Sequence, residues 1–192
     1  MKGRWAQGLE PRFFVWVIKD RLAASERPGG YARNHRKVRR EEEILWLRQQ
    51  GFTRVLSLLE SPHNLKAYDD MGLPCDHVPL GRPATYAQRL PDVYDALAAL
   101  VDRPTERVLV HHEEFGDVLA GVIAGYLLYQ GLVTHGPHAI TLVERLVGRQ
   151  MGPPGRQVVA VTLDEGIRRS TATAKRPAPS LDSTFPNLSQ VV

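Results

Sequence analysis

Val108-Leu-Val-His-His-Glu-Glu-Phe-Gly-Asp-Val-Leu-Ala-Gly121, continued by Val122-Ile-Ala-Gly-Tyr-Leu-Leu-Tyr-Gln-Gly131, is the stretch whose reading decides the fold. It reads as an apolar strand, a tight loop, then an apolar helix closed by glycine. A strand–loop–helix of this kind normally presents a nest of backbone N–H groups and a helix N-terminus to an anion. The loop here holds His111, His112, Glu113, Glu114 and Asp117 instead. The frame is that of an anion site, and the side chains are of the opposite sign.

Working outward, strands and helices alternate. Phe13–Ile18 reads as a short strand, and Arg33–Gln50 as a helix with Glu41–Glu43 in its first half and Gly51 closing it. Val55–Leu59 is a continuous apolar run, expected as a buried parallel strand. A short helix from Pro62 to about Gly72 and a strand at Asp76–Leu80 follow. Tyr86–Val101 places Leu90, Val93, Tyr94, Leu97 and Leu100 on one helical stripe. Arg107–His111 is the central strand, and Gly116–Gln130 and Pro137–Val147 are helices. Gln157–Leu163 is ambiguous by composition. The expected fold class is α/β: a central, mostly parallel sheet flanked by helices.

The pieces together resemble the dual-specificity and tyrosine phosphatase superfamily. Val110-His111-His112, then Ala124-Gly-Tyr126-Leu127 and Gly131-Leu132, is similar to its signature of Val-His-Cys, five residues, Arg-Thr-Gly and a helix. Phe14–Ile18 with Leu22–Gly29 is similar to its N-terminal strand and turn, and Leu47–Glu60 to its first helix and next strand. His77-Val-Pro79-Leu80 is similar to the strand entering its general-acid loop. Ala139, Ile140, Val143 and Arg145 resemble the following helix, and Gln157 a glutamine beyond it, which favours a helix there. The resemblance implies a phosphatase-like domain over residues 12–165, an extension at 1–11, and a disordered tail over 166–192, where Ser, Thr, Pro, Ala and Lys dominate.

What the resemblance implies for catalysis is absent. The family uses a cysteine nucleophile, a phosphate-clamping arginine and a general-acid aspartate. Those positions hold His112, Val118 (Leu119 if the loop carries one extra residue) and Gly81. No Lys or Arg occurs between Arg107 and Arg145, and no Asp or Glu between His77 and Pro91. A positioned general acid is worth about 10²–10⁴ in rate. One pair of like charges at about 4 Å costs about 4 kcal/mol at an effective dielectric near 20. The degenerate loop, His111 to Leu119 including Phe115 and Gly116, is therefore expected to reject a phosphoester dianion. The expectation leans against an enzyme: a pseudophosphatase acting as a protein-binding or regulatory module, needing no cofactor and holding no metal. His111 and His112 point to opposite faces of a strand and do not share one ion.

Two other readings stand beside this one. The first is residual or atypical phosphatase activity carried by His112. The second is a nucleic-acid accessory module using the basic run Arg33-Asn-His-Arg-Lys-Val-Arg-Arg40, where Arg33, Arg36, Lys37, Arg39 and Arg40 are the candidate contacts. That run, expected on an outward helix face, is also the preferred protein-binding surface. The net charge of +4 is modest but unevenly placed. The N-terminus shows no apolar signal-peptide core, and no apolar run is long enough to span a bilayer. The single cysteine, Cys75, excludes an internal disulfide and suits a cytoplasmic protein.

Overall fold

The computed structural model describes residues 8–31, 33 and 35–169. The remainder of the expected tail, from residue 170, lies outside the described residues. Five strands form one sheet in the order β1-β2-β5-β3-β4. They are β1 (Val15–Ile18), β2 (Leu22–Glu26), β3 (Arg54–Ser57), β4 (Cys75–His77) and β5 (Val108–His112). Only the β1–β2 pair is antiparallel; β2, β5, β3 and β4 run parallel.

Alternation along β5 explains the layers. Val108 and Val110 face one core, built with α3 (Tyr86–Val101), α4 (Asp117–Tyr129), α5 (Gly136–Val147) and α6 (Pro153–Asp164). Leu109 faces the other, with Ile44 and Leu47 of α1 (Lys37–Gln49) and Tyr68 of α2 (Lys66–Asp70). The expected mostly parallel sheet flanked by helices is the observed one. The ambiguous 157–163 segment is helical and belongs to α6.

α4 is buried from Leu119 to Tyr129. Its two glycines, Gly121 and Gly125, are contact points. A Cβ on Gly121 would overlap the backbone of Gly155 in α6, and one on Gly125 would overlap the Tyr94 hydroxyl. That hydroxyl bonds Thr162 Oγ1 at 2.8 Å. The glycines let α6 lie against α4 and so press the N-terminus of α6 against the β5–α4 loop.

Three expectations need correction. β2 was not among the expected strands; Leu-Ala-Ala-Ser-Glu lacks both alternation and β-branched residues, and only its central position between β1 and β5 makes it a strand. α1 begins at Lys37, four residues later than expected, because Arg36 is an extended N-cap bonded back to Gly29. Packing also runs past the expected boundary at 165: Ile167 touches the main core, and the Arg169 guanidinium pairs with Asp102.

Candidate functional site

The β5–α4 loop lies at the C-terminal end of the parallel strands, where open α/β sheets place their sites. His111 and His112 part as strand geometry demands. His111 is fully buried and stacks on Tyr68, with ring centroids 5.9 Å apart. Burial is the main reason its pKa is pushed down to about 3, so the imidazole is neutral. His112 opens instead onto a shallow cleft of about 280 Å³, lined also by Tyr31, Glu113, Glu114, Asp117 and Pro154. Its pKa is lowered, first by burial, against the opposing pull of Glu113, Glu60 and Glu114. Phe115 is buried in the main core. Gly116 is the extended N-cap of α4; Val118 lines the cleft and Leu119 is buried.

The loop does have cations, and they come from elsewhere in the chain. Arg27 donates Nη1–H to both carboxylate oxygens of Glu113 at 3.2 Å and Nη2–H to the carbonyl of His63. Arg149 pairs with Asp117 and donates to the carbonyl of Phe115 at 3.3 Å. The Arg149 hydrogen bond is the main cause of a lowered Asp117 pKa, opposed by desolvation and aided by the backbone N–H of Gly152 at the start of α6. The absence of Lys and Arg from 108–144 therefore did not mean a loop without cations. The missed signal was β2. Glu26 registers with His112 across the β2–β5 ladder, so Arg27, one residue on, falls beside the loop.

Each arginine is held by a carboxylate of the loop. Glu114 has no ion-pair partner among the described residues. The result is a strand–loop–helix turn whose neighbouring arginines are paired internally and whose open cleft is lined by acids. Among the described residues no cluster of three or more His, Cys, Asp or Glu could hold a metal ion.

Gly81, which the resemblance aligns with the family's general acid, leaves no room for a side chain. Gly81 adopts φ +81, and a Cβ there would overlap Thr85 Oγ1. That hydroxyl accepts from the Arg82 amide at 3.1 Å and donates to the Arg82 carbonyl. A short 3-10 turn at Pro83–Thr85 thus occupies the space that an aspartate would enter.

The basic run divides. Arg33, Arg36 and Lys37 are exposed. Arg39 and Arg40 are not, which corrects the expectation that the whole run faces outward. Arg39 donates Nε–H to Glu43 at 2.6 Å and lies 3.5 Å from Glu26. Glu43 also accepts the Gly29 amide at 2.7 Å, and its pKa is raised, burial outweighing those bonds. Arg40 is 6% exposed. Cys75 lies at the start of β4, where burial, with Asp69 and Asp76, pushes its thiol up to about 12. That is an unreactive cysteine.

No family model matches the chain, and no curated protein matches it. Solved structures do. Kinase-associated phosphatase, with serine in place of its catalytic-site cysteine, superposes with a TM-score of 0.65 at 17% identity, over 81% of this chain and 96% of that one. The core catalytic domain of the S. cerevisiae PP-IP phosphatase SIW14, in complex with citrate, gives 0.59 at 15% identity, over 84% and 92%. Human DUSP28 gives 0.56 at 19% identity, over 83% and 98%.

Proposed function

We propose that this chain, which has the dual-specificity and tyrosine phosphatase-like fold, works by binding rather than by phosphoryl transfer. The observation that carries this reading is the occupancy of the loop's two arginines. Arg27 is held by Glu113 and Arg149 by Asp117, while Glu114, with no ion-pair partner among the described residues, adds a charge beside His112. Phosphoryl transfer depends almost entirely on positioning and on cations at the transferring group. Here those cations already have anions, and a phosphate dianion would meet carboxylates first. His112 is a possible nucleophile by chemistry, but Gly81 supplies no proton to a leaving group.

The binding surface that this reading favours is the outward part of the basic run, Arg33, Arg36 and Lys37, set beside exposed Val38. A partner protein with an acidic, partly apolar surface fits it better than nucleic acid, because Arg39 and Arg40 turn inward and shorten the basic stripe. Among the described residues no helix is long and apolar enough to cross a membrane. A reducing cytoplasm, suited to an unpaired thiol, is the compartment we propose.

Turnover of p-nitrophenyl phosphate and of phosphotyrosine and phosphothreonine peptides by the purified chain tests this. The expected rate equals that of a mock preparation. Turnover that His112→Ala abolishes would replace the binding reading with an atypical phosphatase.

A further inference from the structure

The first turn of α1 is built against ordinary helix electrostatics. Lys37, Arg39 and Arg40 follow the N-cap Arg36, no acidic residue lies in that turn, and no side chain caps it. A helix N-terminus carries roughly half a positive charge, so cations are out of place there. Arg39 is compensated by Glu26 and Glu43. Arg40 is not. It is 6% exposed, and its Nη1–H is donated to Nε2 of His35 at 3.2 Å. Its Nε is buried without a partner, and among the described residues no carboxylate pairs with it. His35, an imidazole, is no counter-anion, and burial, then Arg27 and Arg40, lower its pKa. A buried cation with no anion is one of the costlier features a fold can carry.

Arg40 lines a cleft of about 420 Å³ between α1 and α2, together with Lys37, Asn64, Lys66, Glu41 and Asp70. We propose that this cleft binds a small oxyanion of the phosphate type, which supplies the counter-charge that Arg40 lacks. Lys37 of α1 and Lys66 of α2 both line it, with Asn64 beside them. Lys37 now pairs with Glu41 at 3.8 Å, and Lys66 with Asp70. Both are i,i+4 pairs of lysines that are 76% and 83% exposed, a kind that contributes little and exchanges readily. Glu41 and Asp70 limit the ligand to a compact anion, since a long polyanion would meet them. The cleft shares no lining residue with the β5–α4 loop, so this inference is independent of whether that loop is silent.

The test is a titration of the full chain with inorganic phosphate, read by backbone amide NMR and by melting temperature. Sodium chloride at matched ionic strength is the control. Saturable shifts are expected at Lys37–Arg40 and Asn64–Lys66, with a rise in melting temperature that chloride does not reproduce. Lys37→Gln/Lys66→Gln, both exposed, should weaken phosphate binding about tenfold or more while the fold is kept. Arg40→Gln should abolish saturation; should it not fold, the lysine pair still decides. A parallel titration with phosphoserine separates sources: binding of both anions fits a phosphorylated side chain, and binding of phosphate alone fits a free anion. Shifts confined to the β5–α4 loop, effects equal to those of chloride, or unchanged affinity in the lysine double variant would each overturn the proposal.

Discussion

The imidazole of His111 is fully buried against Tyr68, and burial is the first cause of its depressed pKa of about 3. In the unfolded chain the same group titrates near 6.5. Below that value the unfolded state takes up a proton that the folded state refuses, so stability is complete above about pH 6.5 and falls as the pH drops toward about 3. The limiting slope for one such group is about 1.4 kcal/mol per pH unit. His112 and His35 shift in the same direction and add to it. We expect urea unfolding to show this loss between about pH 6.5 and about pH 5, and His111→Phe, which keeps a ring on Tyr68, to reduce the slope. Identical pH dependence in that variant would mean that His111 is solvated. Gly81 supports a second prediction at this scale. Gly81→Asp, the substitution that would restore a general acid, forces a side chain into φ +81 and against Thr85. It should destabilise by about 1–3 kcal/mol and confer no activity. A variant as stable as the parent would mean that the 81–85 turn adapts at little cost.

At the level of elements, the β5–α4 loop is braced rather than vacant. Glu113 is tied to the segment after β2, and Asp117 to the segment between α5 and α6. Neutralising those carboxylates should release two arginines toward the same cleft. Glu113→Gln/Glu114→Gln/Asp117→Asn is therefore expected to gain measurable vanadate affinity where the parent has none, and adding His112→Cys should strengthen it. A well-folded variant that still ignores vanadate, followed by isothermal titration, would mean that the loop's N–H groups do not converge. This loop also marks where the sequence stops being legible. Its strand and its helix follow from local pattern and order. Its cations do not, because Arg27 and Arg149 reach it only through strand pairing and the turn between α5 and α6. β2 escaped for a related reason: Ala23, Ala24 and Ser25 carry no strand propensity, and position alone decides them. By contrast, the Leu90–Val93–Leu97 stripe recovers α3, and Gly121 and Gly125 mark where α4 meets its neighbours.

For the molecule as a whole, the basic run and the acidic loop each divide: Arg39 and Arg40 turn inward while Arg33, Arg36, Lys37 and Glu114 stay exposed. Arg39 belongs to a buried group with Glu26, Glu43 and the Gly29 amide that ties α1 to the end of β2. Removing one member of a buried ion pair leaves an uncompensated charge and costs about 3–5 kcal/mol, whereas an exposed charge contributes little. Charge reversal along the run should therefore split into two behaviours. Arg39→Glu should lower the unfolding free energy by several kcal/mol, and any loss of partner capture it shows would follow from unfolding. Arg33→Glu/Arg36→Glu, at two exposed positions, should leave stability within about 1 kcal/mol and weaken capture of an acidic partner. The capture should also weaken with added salt, as expected for solvent-exposed charges. Melting curves run beside the binding measurements separate the two cases. If Arg33→Glu/Arg36→Glu binds as the parent does, at low and at high salt alike, the outward half of the run is not the recognition surface.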